Sequence, residues 1–582
     1  MAASLLLTVL ASPFLRAPAS RTSAFQNIAG CVSGAVVFFD LFVAVGVVAD
    51  AEKLSHSAEL RIFLLYIAVF LLSLFNRNWR KRLAAQFDGI KPKTTRIAIG
   101  AIAAAIAILA IIDYSAPTSA QSASVAVHPK RNILFVTFDA LSAEDMSLYG
   151  YDRPTTPMLD RFAKSGSVFT HFYSGSTFTT PSLATIFTGL EPSEDGVYHL
   201  QGRLRAPHDE QSFVRALHDA GYTTGATISS PMAYFFTSWR PREFDWLDGP
   251  VYRTKDFLKV WNATSWLHPQ QSFGSRLDEF NDFEKAFRLV LVNGYDADPF
   301  KHTVSRFPPA QVFAHARQEI DRLPEGYFLW VHVFAPHHPY LPAEHMGKFL
   351  PGPEMRTGQS QMAMPQGEYP MQMQDLVTQA RARYDEFIAD ADTAFGQFVN
   401  KADADGKLAN TVVIVSADHG ESFQAGVYQH DTPFQTVPEI HIPLVVRMPG
   451  QTTGSRIDFA ADQTSLAPTI LELAGVSRAP WMHGRSLVPW LGDQREASSA
   501  PDALAFCQYL ATSSVFRPVS SGSVGVTDGV NQYVVNVKTG QASLRDMRQP
   551  LTWKVDRSAQ NPEKAKELRA ALEARFPGLL KK

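Results

Sequence analysis

The sequence predicts an α/β protein whose main domain is built on a mainly parallel sheet. Beyond residue 130, short apolar runs alternate with stretches of helical periodicity, which is typical of layered α/β folds. Three of the runs, 133–138, 327–334 and 411–417, are followed closely by Asp or His side chains. Because the carboxyl ends of parallel strands gather ligands at one edge of an open sheet, we expect these polar groups to lie together.

The composition limits what the chain can be. A chain of 582 residues is too long for one compact core, so at least two structural units are expected. The net charge of -2 gives no sign of a nucleic-acid-binding surface, and no nucleic acid is expected as a partner. The two cysteines, Cys31 and Cys507, are far apart, so we expect neither a disulfide nor a cysteine-ligated metal. Any metal must be held by Asp, Glu and His.

The amino-terminal part is predicted to be a transmembrane anchor of three or four helices over residues 1–115. The run 29–49 is long enough to cross a bilayer, whereas 62–75 and 97–112 are shorter, at about 14 and 16 residues. Buried helices of a soluble domain are the alternative. The segment between the last two runs is rich in Lys and Arg, which predicts a cytoplasmic loop. We therefore expect a multi-pass protein of the cell (inner) membrane, with its main domain in the periplasm or outside the cell.

Each of the three apolar runs brings a different side chain. The first ends in Asp139, the last ends in Asp418 and His419, and the middle one leads to His337. A single Asp after a strand is usually a turn former or a helix cap, and a single His is usually a structural residue. Three such coincidences at three strand ends favour a site over chance.

Thr179 opens the segment TTPSLATIFTG, which has the pattern of a helix start. Pro181 is tolerated in a first helical turn, and a preceding threonine can cap the backbone amides. On that interpretation Thr179 or Thr180 is only an N-cap. The same position suits a nucleophile, because a hydroxyl at a helix N-terminus faces free N–H groups where an anionic ester group docks. A divalent cation beside it would favour the alkoxide.

The chain resembles the sulfatases and related phosphotransferases of the alkaline phosphatase superfamily. The strings NILFVTFDAL, TTPSLATIFTGLEPSEDGV, VHVFAPHHPYLP, VVIVSADHGESF and HIPLVVRMPG follow the order of that family over about residues 131–491. The resemblance implies an alkaline-phosphatase-like α/β/α sandwich with a mainly parallel sheet at 131–495. It also implies a small α+β carboxyl-terminal subdomain at 496–582. A linker rich in Ser, Ala and Pro is predicted at 116–130.

The resemblance implies a divalent metal held by Asp139, Asp418, His419 and the oxygen of Thr179. Thr179 matches the nucleophile position. A mixed set of nitrogen and oxygen ligands suits Zn²⁺ or Mn²⁺ better than Ca²⁺, which prefers oxygen alone.

The resemblance further implies that His337 and His430 are catalytic and bind the transferred ester group. His332 matches a histidine just upstream in the same motif and is predicted to bind substrate. Glu421 is predicted to support the site. Histidine suits such tasks because its unperturbed pKa lies near neutrality.

Two departures from the sulfatase pattern shape the predicted function. Asp139 is followed by Ala140 where sulfatases usually have a second acid. Thr179 stands where sulfatases have a Cys or Ser that is oxidised to an aldehyde, and the same oxidation of threonine would give a ketone. Threonine at this position is instead similar to phosphoethanolamine and phosphoglycerol transferases, which pass through a phosphothreonine.

We therefore expect a membrane-embedded, monomeric enzyme that transfers a phosphoryl-linked headgroup from a lipid donor to an envelope acceptor. A hydrolase of sulfate or phosphate esters is the first alternative, since the motif strings are closer to those of sulfatases. A non-catalytic binding module is the second. The sequence leaves the donor, the acceptor and the number of metals open.

Overall fold

A central sheet carries the predicted site, and the computed structural model describes it within residues 130–580. Inside that span the description leaves out residues 201, 203, 205–207, 239–242, 249–307, 358–359, 362–363, 365, 494–502 and 514–517. The described residues belong to one compact unit, Val127–Lys582.

The strands are numbered in chain order. Their bounds are β1 Asn132–Asp139, β2 Ser167–Tyr173, β3 Thr223–Ile228, β4 Trp246–Asp248, β5 Tyr327–Pro336, β6 Gly367–Glu368, β7 Thr411–Ala417, β8 Ser422–Gln424, β9 Val427–Gln429, β10 Leu444–Arg447, β11 Ser455–Asp462, β12 Ala505–Tyr509, β13 Ser523–Thr527, β14 Asn531–Asn536 and β15 Ala542–Asp546. In the part of the chain that is described, eight of them form the central sheet in the order β11-β2-β10-β7-β1-β5-β3-β4.

The central sheet is mixed but mostly parallel. Strand β1 pairs in parallel with both β5 and β7, and β3 is parallel to both β4 and β5. Strand β10 runs antiparallel to its neighbours β2 and β7. The prediction of a mainly parallel sheet is confirmed, with β10 as the reversed strand.

The helices are also numbered in chain order among the described residues. Their bounds are α1 Pro157–Phe162, α2 Thr179–Thr188, α3 Pro192–Asp195, α4 Phe213–Asp219, α5 Pro231–Ser238, α6 Pro309–Arg322, α7 Gln374–Ala404, α8 Val437–Ile440, α9 Leu466–Leu473 and α10 Pro562–Arg575. Short 3-10 turns lie at Ala143–Asp145, Ser147–Tyr149, Ala163–Ser165, His208–Glu210, Met371–Met373, Gln463–Ser465, Val488–Trp490 and Pro550–Thr552.

Two groups of helices pack with the central sheet. The long helix α7 packs against α1, α6 and β5, whereas α2 packs against α5 and α9. All residues of β1, β5 and β7 are buried, as expected for central strands of a parallel sheet that is covered on both faces. Their continuous apolar composition has the same cause, and it is what made these strands recognisable in the sequence.

Two smaller sheets complete the described fold. Strands β6, β9 and β8 form a three-stranded sheet, and its middle strand β9 ends directly before His430. Strands β12 to β15 form an antiparallel sheet, and α10 packs on it around Leu568 and Leu572. The boundaries predicted for the linker, the main domain and the carboxyl-terminal subdomain stay predictions.

The predicted membrane anchor needs a correction. Its proposed spans, 29–49, 62–75 and 97–112, lie outside the described residues. Within the ranges that the structure describes, no helix is long and apolar enough to cross a membrane. Crossing a bilayer as a helix takes about 20 apolar residues, and two of the three proposed runs fall short of that length. The predicted multi-pass localisation is contradicted by this finding, and we withdraw it.

Candidate active site

Three adjacent strands bring the predicted acids and histidines together at one edge of the central sheet. In the sheet order β7-β1-β5, Phe138 lies opposite Ala417, so Asp139 and Asp418 follow at neighbouring positions. On the other side, Thr137 lies opposite His332. The strands run in the same direction, and their carboxyl ends therefore deliver these side chains to one place.

Thr179 is the first residue of helix α2, and its hydroxyl does not cap that helix. The N-cap is Phe178, which has extended backbone and makes no side-chain capping bond. The Thr179 Oγ1 atom instead lies 3.2 Å from His419 Nε2 and donates to Asp139 Oδ1 at 3.5 Å. The neighbouring Thr180 hydroxyl donates to the carbonyl of Leu200. The interpretation of Thr179 as a simple N-cap is therefore not what the structure has.

His419 is oriented so that one ring nitrogen faces the two acids. Its Nδ1 lies 2.9 Å from the carbonyl of Gly420, and a carbonyl can only accept, so Nδ1 carries the proton. Its Nε2 lies 3.6 Å from Asp139 Oδ1 and 3.8 Å from Asp418 Oδ2. A backbone carbonyl behind a metal-binding histidine is a common way to fix the tautomer. Nε2 therefore carries the lone pair, which faces the two acids and the Thr179 hydroxyl and can bind a cation.

Asp418 has one oxygen in use and one without a partner. Its Oδ1 accepts hydrogen bonds from the backbone N–H groups of Ala140, at 3.1 Å, and His419, at 2.8 Å. Its Oδ2 is buried and has no hydrogen-bond partner in the structure, and the same is true of His332 Nε2. Ligand atoms of Asp139, His332 and Asp418 all lie within 4.8 Å of one another. An unpaired buried polar atom is costly, so this donor set fits a divalent cation.

The electrostatics of the two acids also favour a cation. Burial raises the pKa of Asp418 well above its ordinary value, and the charge of Asp139 adds to this rise. Burial has the same tendency at Asp139, but His337, His332 and His419 outweigh it and hold the pKa of Asp139 below its ordinary value. Two carboxylates so close together cannot both stay charged without compensation, and a divalent cation would supply it.

The ring of His430 lies next to the rings of His419 and His337. The ring centroids of His419 and His430 are 4.4 Å apart, and those of His337 and His430 are 4.9 Å apart. Burial lowers the pKa of His430 to about 3, with a further contribution from His337. His430 is therefore neutral near pH 7.

The structure brings all the predicted site residues of the strands and of the nucleophile segment to one region.

Glu421 holds His430 in place. Its Oε1 lies 2.8 Å from His430 Nδ1, and its Oε2 accepts a hydrogen bond of 3.0 Å from the Tyr340 hydroxyl. Burial raises the pKa of Glu421 to about 8, against the opposing effect of His337. The Glu421 and His430 pair can therefore keep a proton at neutral pH.

Sequence reasoning missed two supporting residues. Tyr340 lies in the string VHVFAPHHPYLP, and its position three residues after His337 was the available signal. The side chain of Gln463 donates to the carbonyls of Ala417 and Asp418 and fixes the turn that carries the acid. Nothing in the sequence around Gln463 indicates that role, because it depends on a contact with Asp418, which lies 45 residues earlier in the chain.

The donor atoms of Asp139, His332 and Asp418 form a group that could hold a metal ion. A sulfatase family profile matches residues 131–476, which is more than half of the chain. The chain belongs to the sulfatase family.

Several curated relatives are similar to most of the chain. Steryl-sulfatase of Rattus norvegicus is 23% identical over 457 residues, which covers 68% of this chain and 76% of the relative. N-acetylglucosamine-6-O-sulfatase of Bacteroides thetaiotaomicron is 23% identical over 473 residues, with 68% and 77% covered. Arylsulfatase A of Bos taurus is 37% identical, but over only 112 residues and 19% of this chain.

Solved structures share the fold. A protein in complex with its substrate D-glucosamine-2-N,6-O-disulfate superposes with a TM-score of 0.56 at 18% identity, over 77% of this chain and 97% of the other. The phosphonate monoester hydrolase of Agrobacterium radiobacter superposes with a TM-score of 0.54 at 18% identity, over 77% and 95%. At such identities the likeness concerns the fold alone. The alkaline-phosphatase-like α/β fold predicted from the sequence is confirmed.

These findings correct the predicted function. The chain is an enzyme, a sulfatase-family hydrolase of sulfate or phosphate esters. They favour the hydrolase, which was the first alternative, over the lipid headgroup transferase that was the main expectation. The preference for the transferase rested on a single residue, Thr179, and on the proposed anchor, and the comparisons do not show a transferase. The alternative of a non-catalytic binding module is not supported.

Proposed function

We propose that this enzyme hydrolyses a phosphate ester by direct attack of the Thr179 hydroxyl oxygen on phosphorus. The observation that carries the proposal is the position of that oxygen, 3.2 Å from His419 Nε2 and 3.5 Å from Asp139 Oδ1. The hydroxyl belongs to the first residue of a helix, where backbone N–H groups and the helix dipole favour an anionic group.

Threonine makes a phosphate ester the better substrate class than a sulfate ester. Its secondary alcohol cannot be oxidised to the aldehyde whose hydrate serves as the nucleophile in sulfatases. An alkoxide that attacks phosphorus forms a phosphothreonine, and the bond from phosphorus to the leaving oxygen breaks. Water then attacks phosphorus and gives a proton to His430 Nε2. The bond from phosphorus to Thr179 Oγ1 breaks, and the threonine alkoxide is regenerated.

We propose Asp139, Asp418 and His419 as ligands of a divalent cation, with Zn²⁺ or Mn²⁺ favoured over Ca²⁺ by the imidazole nitrogen. Such a cation lowers the pKa of a bound hydroxyl and compensates negative charge on the ester group. Backbone groups of the chain orient the ligand side chains. The Gly420 carbonyl fixes the tautomer of His419. The two backbone N–H groups at Asp418 Oδ1 leave Oδ2 to face inward.

His430 is proposed as the group that protonates the leaving oxygen. Its Nδ1 contacts Glu421, so its Nε2 is the nitrogen available to a substrate. The leaving alkoxide takes the proton from Nε2, and Glu421 can resupply it through Nδ1. His337, whose ring neighbours His430, is proposed to bind a non-bridging oxygen of the ester. His332 was predicted to bind substrate as well, and its surroundings lead to a different proposal below.

The test compares ester classes under identical conditions. We expect the metal-loaded enzyme to release product from a nitrophenyl phosphate monoester or diester faster than from a nitrophenyl sulfate. Thr179→Val keeps the shape of the side chain but lacks the hydroxyl, and it should lose at least about 1000-fold in kcat/KM. Thr180→Val is the matched control, because its hydroxyl is bonded to Leu200, and it should keep the phosphate-over-sulfate preference. Faster cleavage of the sulfate by the wild type would contradict the proposal.

Transfer of a phosphoethanolamine or phosphoglycerol group to an acceptor hydroxyl is the second candidate. The hydroxyl of Thr179 favours it, because a phosphothreonine can be attacked by an alcohol as well as by water. A lipid donor would then supply the group. If transfer is the native reaction, a lipid with a phosphoethanolamine headgroup incubated with glycerol will yield mainly the diester of glycerol and phosphoethanolamine. Phosphoethanolamine alone, the product of attack by water, would exclude transfer.

A further inference from the structure

His332 is fully buried within strand β5, and one of its ring nitrogens faces the acids of the site. Its side chain is 0% exposed, and its Nε2 lies 3.7 Å from Asp139 Oδ2. That nitrogen has no hydrogen-bond partner. Trp330 and Ile228 lie beside it, the first on the same strand and the second opposite on β3. The side chain of His332 therefore has no surface open to solvent.

The distances around His332 are those between two ligands of one cation. A separation of 3.7 Å is too long for a hydrogen bond from a charged imidazole to a carboxylate. Two ligands of a tetrahedral cation with bonds of about 2.1 Å lie about 3.4 Å apart. Asp418 Oδ2 is the other partnerless buried atom of the group, and the ligand atoms of Asp139, His332 and Asp418 lie within 4.8 Å of one another.

We propose that His332 is a metal ligand through Nε2 and that the cation site therefore has two imidazole nitrogens, from His332 and His419. This proposal rests on the metal dependence put forward above, but not on the identity of the substrate or of the nucleophile. It replaces the prediction that His332 binds substrate. Two nitrogens beside two carboxylates give a site that selects a transition metal over Ca²⁺.

Thr137 holds the ring of His332 in the orientation that metal binding needs. Its Oγ1 lies 2.7 Å from His332 Nδ1 and accepts a hydrogen bond of 2.8 Å from Trp330 Nε1. A hydroxyl oxygen has two acceptor positions, so it can also accept from Nδ1–H, which leaves the lone pair on Nε2. Thr137 and His332 are opposite residues of β1 and β5. Thr137 is thus a positioning residue behind the ligand.

The decisive experiment counts nitrogen ligands without any mutation. The full-length chain is loaded with Mn²⁺ alone, and pulsed electron paramagnetic resonance measures the nitrogen couplings in protein with natural or ¹⁵N-labelled histidine. We expect two imidazole nitrogens on the metal. One nitrogen would overturn the proposal while leaving the proposed reaction possible, and no bound Mn²⁺ would overturn both.

Variants separate ligation from folding. His332→Gln should reduce the nitrogen count to one and weaken Mn²⁺ binding at least about tenfold. Thr137→Val should weaken it by a similar factor, and Thr137→Ser should restore it. His441→Gln is the matched control, because both nitrogens of His441 already contact Glu144 and Thr170, and it should keep both the count and the affinity. If His332→Gln binds Mn²⁺ as tightly as the wild type, the proposal is wrong.

Thr179→Val tells the two proposals apart. It removes the nucleophile but none of the proposed nitrogen ligands, so it should lose turnover and keep two nitrogen couplings. Loss of turnover with an unchanged spectrum supports both proposals. Retained turnover with two couplings would contradict the reaction and leave His332 as a ligand.

Discussion

At the scale of single residues, the contact between Glu421 and His430 can be tested by a conservative change. Glu421 is completely buried and reaches both His430 and Tyr340. The substitution Glu421→Gln keeps the size of the side chain and one acceptor oxygen, but it removes the proton that the carboxyl group can exchange. This substitution therefore separates a proton-supplying role from a packing role.

Glu421→Gln should lower kcat by about 100-fold for esters with poor leaving groups, such as an alkyl phosphate. The loss should be much smaller for a nitrophenyl phosphate, whose leaving oxygen needs little protonation. The measurement is the rate against leaving-group pKa for both enzymes. Tyr340→Phe is the control, since it removes a hydrogen bond from the same carboxyl group but no proton from the pair. Equal losses for both leaving groups would show that Glu421 only holds the structure together.

At the scale of secondary-structure elements, helix α1 is capped by a side chain from another helix. Asp392 of α7 accepts hydrogen bonds of 2.8 Å from the backbone N–H groups of Met158 and Leu159. Helix α1 has no side-chain cap of its own at Thr156. The cap therefore joins the first turn of one helix to the middle of the other.

Asp392 should make the stability of the fold depend on pH. Burial raises its pKa to about 7 from an ordinary value of 3.8, so the folded protein binds this proton more tightly than the unfolded chain. The group's contribution to the free energy of unfolding is complete below 3.8 and is lost as the pH rises to about 7. In Asp392→Asn this loss is absent. From pH 5 to pH 8 the unfolding free energy of the wild type should therefore fall, relative to that of Asp392→Asn, by at least about 1 kcal/mol.

Denaturant unfolding of the metal-free proteins at the two pH values measures this difference. Asp546→Asn is the control. The pKa of Asp546 is lowered by its bond to Arg548, so it is ionised in both states throughout this pH range. Its difference from the wild type should be constant, and a constant difference for Asp392→Asn as well would disprove the assignment.

The sequence predicted the central strands of the main sheet well and the other strands poorly. Strands β1, β5 and β7 are continuous apolar runs, because strands buried on both faces need no alternation. Strand β10 also has an apolar sequence, but its direction is set by its pairing with β2 and β7. Strands β8 and β9 are three residues each, which is too short for a period to be recognised. Their position depends on contacts that the local sequence does not contain.

At the scale of the whole molecule, Glu191 links the end of helix α10 to the segment that follows α2. It follows α2 closely, is buried, and accepts a hydrogen bond of 2.7 Å from Arg575 Nε. Its other oxygen lies 2.7 Å from His483 Nδ1. Arg575 is the last residue of α10. One carboxylate thus links three distant parts of the chain.

Glu191→Gln should lower the free energy of unfolding by about 2 kcal/mol, because it removes the negative charge beside Arg575 and one of the two acceptor oxygens that Arg575 and His483 share. The measurement is denaturant unfolding at neutral pH. Lys554→Gln is the control: its pair with Glu368 is solvent-exposed, and the change should stay within about 0.5 kcal/mol. Limited proteolysis should cut the variant first within α10. Equal effects of the two substitutions would contradict the role given to Glu191.

The candidate site was predicted from the sequence to the extent that it lies at strand ends and at a helix start. Asp139, Asp418, His419 and Thr179 do converge from distant parts of the chain, and the assignment of their roles stays a proposal. The surroundings of His332 were not predictable in the same way. A histidine inside an apolar strand gives no sign of what it faces, because that depends on the register between β1 and β5.

The covalent step provides the sharpest test of the proposed reaction. The full-length, metal-loaded chain is mixed with a phosphate ester, quenched within the first turnover, digested and sequenced by tandem mass spectrometry. We expect a phosphoryl group on the Thr179 oxygen, and none at that position in Thr179→Val. A phosphoryl group on a different residue, or a Thr179→Val variant that turns over phosphate ester at the wild-type rate, would contradict Thr179 as the nucleophile.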